Sequence, residues 1–101
     1  MSAKKKLIDL NIDFPANADY YLFGSSAYAD IYSDIDIAII YDKSNVDIRH
    51  IIEFRQNLIN EISEKLDYPC DIILLSNEEE IEMNFLLNAK TEELKKTTHN
   101  C

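Results

Sequence analysis

Glycine occurs once in these 101 residues, at position 24. A chain with a single glycine has little freedom to turn through positive φ, so that position fixes where the backbone turns or approaches another group most closely. Gly24 follows the aromatic, β-prone run at 20–23 and precedes Ser25-Ser26. A strand, a tight turn and a short helix over about 26–30, capped by Ser25 or Ser26, are expected. Taken alone, the Gly-Ser pair also suits an ordinary strand-to-helix turn.

Ten residues further on, the run 33–42 reads as the clearest strand of the chain. Ile35, Ile37 and Ile39 fall on one face; Asp34, Asp36, Ala38 and Ile40 fall on the other. The second face is therefore acidic at its start and apolar at its end, as in a sheet covered over half its length. Asp34 and Asp36 stand roughly 7 Å apart at Cα. Bringing two carboxylates to about 4 Å costs about 4 kcal/mol at an effective dielectric of 20. Such a pair is either well solvated or has a cation between its members, and a hard divalent ion with oxygen ligands, Mg²⁺ or Mn²⁺, fits the second case. Asp71 is the only charge in the apolar run 70–75, where an unpaired buried carboxylate would be costly. With that run beside the 33–42 strand, Asp71 joins the other two. Three carboxylates on adjacent strands can hold metal ions that bind phosphate oxygens and activate a hydroxyl. Gly24, Ser25 and Ser26 would meet the same phosphates. Each aspartate by itself also fits a solvated surface.

The remaining segments supply a base for these residues. Apolar residues nearly alternate between Leu7 and Phe14, which suggests an edge strand or an extended packing segment, ended by Pro15. A long helix over 46–66, capped by Ser44 or Asn45, has Ile48, Ile51, Ile52, Leu58, Ile59, Ile62 and Leu66 as its buried stripe. Pro69 ends it. Strand, helix and strand in succession imply a parallel pairing of 33–42 with 70–75. A last helix is expected from Ser76 or Asn77, with Ile81, Phe85, Leu86, Ala89 and Leu94 inward and residues 97–101 frayed. Cys70 and Cys101 lack metal-ligand spacing, and no disulfide between them is expected; Cys70 reads as a core residue. His50 and His99 are too far apart in sequence to suggest a zinc site.

A hydrophobic fraction of 47% supports a folded core, and the length admits one domain at most. The net charge of −9 argues against independent nucleic-acid binding, which needs clustered Lys and Arg. It is compatible with divalent cations, nucleotides carried with Mg²⁺, or a basic protein partner. No apolar run is long enough for a membrane span and no signal-peptide core follows Lys4-Lys5-Lys6, so a cytoplasmic protein is expected.

FGSS, then SDIDIAII, then CDIILL resemble the nucleotidyltransferase fold of the DNA polymerase β superfamily, and more narrowly the minimal nucleotidyltransferases (MNT) of bacteria and archaea. The resemblance covers about 20–75 and the flanking helices. It implies an α/β (α+β) fold: a small mixed sheet with helices mainly on one side, in one domain over 1–101 with 1–14 and 97–101 loosely ordered. It implies phosphate contacts at Gly24 and Ser25, and catalytic metal ligation by Asp34, Asp36 and Asp71. The reaction implied is transfer of a nucleoside monophosphate, AMP from ATP, onto a hydroxyl of a partner protein. The partner implied is a helical HEPN-family protein, with this chain the antitoxin of a toxin–antitoxin pair; a homo-oligomer is left open. The spacer of eight residues between Ser25 and Asp34 is shorter than the family's usual one, and Tyr28 and Ala29 stand where the family carries a basic residue and a glycine. No Lys or Arg occurs between Lys6 and Lys43, so Lys43, Arg49 and His50 are the nearest cations in sequence for a triphosphate. That spacer keeps a second class in view, a non-catalytic module that neutralises or scaffolds its partner by binding alone.

Overall fold

The structure, a computed structural model, describes residues 2–97. His99, Cys101 and nearly all of the expected frayed end lie outside the described residues. Four strands form one mixed sheet: β1 (Ala18–Phe23), β2 (Ile35–Tyr41), β3 (Cys70–Ser76) and β4 (Thr91–Lys96), in the order β3-β2-β1-β4. β2 and β3 are parallel, and β1 is antiparallel to both β2 and β4. The helices are α1 (Ala3–Asp9), α2 (Ser25–Tyr28), α3 (Ile48–Leu66), α4 (Asn77–Met83) and α5 (Phe85–Asn88).

Alternation along the strands divides the apolar residues between two faces. Tyr20, Leu22, Ile35, Ile37, Ile39 and Ile72 pack on one face with Ala3 and Leu7 of α1 and with Ile51, Leu58 and Ile62 of α3. Fully burying a side chain such as Ile37 contributes about 1.5–3 kcal/mol, so this face carries most of the stability. The other face holds a smaller cluster of Ala38, Ile40 and Leu75, with Tyr21, Phe23, Ile73, Phe85 and Leu86 packed against it. α4 and α5 cover only that part, and the acidic start of β2 stays partly open.

β2 and β3 are joined through α3, as the strand–helix–strand order predicts. α3 is capped by Asp47, whose side chain accepts from Arg49 N, rather than by Ser44 or Asn45. Those two residues close a turn on Asp42 instead. Ile48 and Ile52, expected inside, are exposed because the helix meets the sheet through Ile51, Leu58 and Ile62. Asp67 ends α3 in the left-handed conformation at φ 60°, and Pro69 O then accepts from Ile35 N at 2.9 Å, which starts the parallel pair. With glycine confined to position 24, Asn11, Asn17, Asp67 and Asn84 take the other positive-φ positions among the described residues, consistent with their tolerance of that region.

Both ends of the chain differ from expectation. Residues 3–9 form a helix, not an edge strand. Ser2 caps it, Lys5 pairs with Asp9 one turn on, and Ala3 and Leu7 bury one stripe. The alternating residues that follow run outside any strand, and Phe14 packs against Tyr20 and Phe54 at ring distances of 4.8 and 5.9 Å. The expected single C-terminal helix breaks at Asn84, φ 49°, and again at Ala89. Ile81 is consequently exposed. Leu94 is buried, but from a strand: β4 covers the edge of β1 that would otherwise offer unpaired backbone groups.

Candidate active site

Three carboxylates converge at the N-terminal ends of the parallel pair. Asp36 lies opposite Phe23 of β1 on one side and Asp71 of β3 on the other. Residues in register project from the same face, so Asp36 and Asp71 stand side by side on the less covered face. Asp34, two residues earlier, joins them just before β2 begins. One carboxylate oxygen from each of the three lies within 4.8 Å of the others. No Lys or Arg among the described residues forms an ion pair with any of them.

The electrostatic consequence is legible in the neighbouring groups. Burial, then the charges of Asp34 and Asp71, raise the pKa of Asp36 above the usual carboxylate value. The Cys70 thiol, half-buried and next to the three, is pushed up to about 12 by burial and by the same carboxylates. It is therefore a packing residue and not a nucleophile at neutral pH. All-oxygen donors of this kind fit a hard divalent cation, and the cluster is compatible with divalent metal use.

Gly24 places the backbone against this cluster. Its φ and ψ are 65° and −158°, a combination essentially confined to glycine. A Cβ here would lie 2.7 Å from Asp36 Oδ2. The glycine is thus required both by the turn and by the close approach to a carboxylate. Gly24 itself stands at the N-cap of α2, so neither serine caps that helix as expected. Ser26 has a different part: its buried hydroxyl donates to Phe23 O at 3.0 Å and accepts from Asp36 N at 3.2 Å. It ties the turn to β2. Ser25 remains half-exposed at the start of α2.

The structure therefore brings Gly24, Ser25, Ser26, Asp34, Asp36 and Asp71 into one place. It does not bring Lys43, Arg49 and His50 there. Lys43 follows the far end of β2, roughly 20 Å from Asp36 at strand rise, and pairs with Glu78 at 2.7 Å. Arg49 pairs with Asp47, and His50 lines a shallow depression on α3 with Glu53, Phe54 and Asn57. A cation does meet the short helix that follows the glycine turn: Lys90 Nζ lies 5.6 Å from the centroid of the Tyr28 ring. Lys90 falls inside the stretch expected as the last helix, and the pairing of β4 with β1 brings its backbone to the turn instead. A cavity of about 500 Å³ opens at the opposite end of the same face, lined in part by Tyr21, Ile40, Asp42 and Leu86. It holds none of the three aspartates, so carboxylate geometry and not concavity defines the site.

The family model described as Polymerase beta, Nucleotidyltransferase matches residues 5–98. A crystal structure from Sulfolobus solfataricus, described as that of a candidate nucleotidyltransferase, is similar over 93% of this chain and 77% of its own, with 22% identity and a TM-score of 0.52. At that identity the likeness speaks for the fold. No curated protein matches the chain significantly.

Proposed function

The chain belongs to the polymerase beta nucleotidyltransferase family, and from that premise we propose that it transfers a nucleoside monophosphate, AMP from ATP, onto a hydroxyl of a partner protein. The observation that carries this reading is the convergence of Asp34, Asp36 and Asp71 within 4.8 Å beside the single glycine turn. These three carboxylates would hold Mg²⁺ or Mn²⁺, which would supply Lewis acidity toward the phosphates and the attacking hydroxyl. Gly24 lets the turn lie over Asp36, and Ser25, half-exposed beside it, presents its hydroxyl and backbone to the phosphates. Ser26 keeps the turn in register with Asp36. The hydroxyl oxygen attacks the α-phosphorus in line as the bond to the bridging oxygen breaks and pyrophosphate leaves. The hydroxyl proton passes to Asp71, the exposed member of the three.

A protein acceptor suits the rim of the site. Ile31 and Tyr28 of the spacer and Leu87 of α5 are largely exposed, at 91%, 66% and 83%. α5 borders the carboxylates through the edge-on contact of Phe85 with Phe23, the residue opposite Asp36. Apolar groups this exposed favour a macromolecular surface over a free small acceptor. The partner proposed is a helical HEPN-family toxin, with this chain its cytoplasmic antitoxin, and the acidic charge suits a basic partner. One observation favours a second reading. The spacer carries Tyr28 and Ala29 and no cation of its own, as in a module that binds its partner without transferring anything.

Incubation with Mg²⁺, each of the four nucleoside triphosphates in turn and a HEPN partner separates the two readings by mass spectrometry. Transfer gives a mass increase in multiples of one nucleoside monophosphate, AMP with ATP, that disappears with Asp34→Asn plus Asp36→Asn. No adduct with any of the four, together with neutralisation retained by the double variant, selects the binding module.

A further inference from the structure

We propose that Lys90, the residue just before β4, is the triphosphate-binding cation of this site, in place of the basic residue that the spacer lacks; this rests on the nucleotidyl-transfer reading above. The register of the sheet brings its backbone to the turn; strand alternation leaves Thr91, not Lys90, on the face of Phe23 and Asp36, so the contact with α2 is what places its side chain. Phe23 pairs with Thr91 and Leu22 with Glu92, so extending the antiparallel pair by one residue sets Lys90 opposite Gly24. α2 packs against β4, and the exposed Tyr28 ring at its last position lies under the Lys90 ammonium at 5.6 Å. Cation–π contact of this kind restrains a long side chain that would otherwise sample many rotamers. The tyrosine thus holds a cation against the short helix that begins at the Gly24–Ser25 turn.

Five other cations are already engaged. Lys43, Arg49, Lys5 and Lys65 sit in ion pairs with Glu78, Asp47, Asp9 and Glu61. Lys6 lies over the Tyr32 and Tyr68 rings at 5.2 and 4.9 Å and donates to Tyr68 Oη. Lys90 has no carboxylate partner among the described residues. Three aspartates and a triphosphate carry more negative charge than a pair of divalent ions neutralises, so a further cation has a defined place in the charge balance. An ammonium bound to the β- and γ-phosphates also favours departure of pyrophosphate, on which negative charge grows.

Titration calorimetry with Mg²⁺ and α,β-methylene-ATP, which binds without transfer, tests this on the full chain. AMP serves as the arm without a pyrophosphate. Lys90→Ala weakens triphosphate binding about tenfold, the loss of one charge-assisted contact, and leaves AMP binding within twofold. Lys90→Arg retains most of the affinity, and Tyr28→Leu weakens it about threefold by releasing the side chain. Unchanged Mn²⁺ affinity and circular dichroism in Lys90→Ala show that the fold and the aspartates are intact. Equal triphosphate affinity of Lys90→Ala and the parent, or an equal loss for AMP, overturns the role of Lys90 alone. Absence of triphosphate binding by the parent overturns the nucleotidyl-transfer reading, and the role of Lys90 with it.

Discussion

Replacing Gly24 by alanine sets a methyl group 2.7 Å from Asp36 Oδ2 and forces a residue with a Cβ into φ 65°, ψ −158°. The backbone part costs on the order of 1–3 kcal/mol, since that region is essentially glycine-only. The contact part is smaller, because the atom met is the end of a side chain that can rotate away; relieving it at an off-rotamer angle costs about 1 kcal/mol. The same rotation moves Asp36 out of line with Asp34 and Asp71. Gly24→Ala is therefore expected to lose about 2–3 kcal/mol, which lowers Tm by roughly 10–20 °C in a domain of this size. It also loses most of its Mn²⁺ affinity. Thermal unfolding followed by circular dichroism measures the first quantity and titration calorimetry the second. A double-mutant cycle separates the two parts: in an Asp36→Ala background the methyl meets no carboxylate, so Gly24→Ala costs about 1 kcal/mol less there. Strict additivity would refute the contact argument. A Gly24→Ala protein melting within 2 °C of the parent, with the same Mn²⁺ affinity, would refute both parts.

Three further outcomes are expected. In chelator, Asp36→Asn stabilises the protein at pH 7 by on the order of 1 kcal/mol, as expected for half-exposed like charges. The Asp36 pKa is raised in the fold, so its charged form is the unfavourable one. The penalty is absent below the ordinary value of 3.8 and complete above the raised one, so the Tm advantage of Asp36→Asn shrinks as the pH falls through that interval. Ser26→Ala removes the hydroxyl that bridges Asp36 N–H and Phe23 C=O in a part-buried position and costs about 1–3 kcal/mol, read from urea unfolding; a loss below 0.5 kcal/mol would contradict the bridging role. Mn²⁺ at a hundredfold excess over its Kd raises stability by about 2.7 kcal/mol. Asp34→Asn plus Asp36→Asn abolishes that increment in differential scanning fluorimetry, and an undiminished shift would place the metal elsewhere.

The carboxylate site was legible in the sequence because it consists of local anomalies. Two aspartates at strand spacing and one charge in an apolar strand stand out against their own neighbours. Strand alternation fixed the face of Asp36, and a helix of α3's length between two strands implied the parallel pair that brings Asp71 alongside. The single glycine marked the turn. Its partner was not legible: that Gly24 is needed for the approach of Asp36, and that Ser26 bridges the two segments, depends on the β1–β2 register.

The two ends of the chain show where local reasoning stops. The near-alternation from Leu7 to Phe14 is too short to choose between strand and helix, and the Ser2 cap with the Lys5–Asp9 pair decides for a helix in α1. Thr91–Lys96 carries four charged residues and has no strand pattern of its own, yet it pairs along β1. The sequence by itself determined which residues could hold a metal, because chemical type and strand period are properties of a few consecutive residues. The tertiary structure alone decided that β4 covers the edge of β1 and that Lys90 lies over the Tyr28 ring of α2, because an open sheet edge is satisfied by backbone hydrogen bonds from a segment some seventy residues away, whatever its side chains prefer locally.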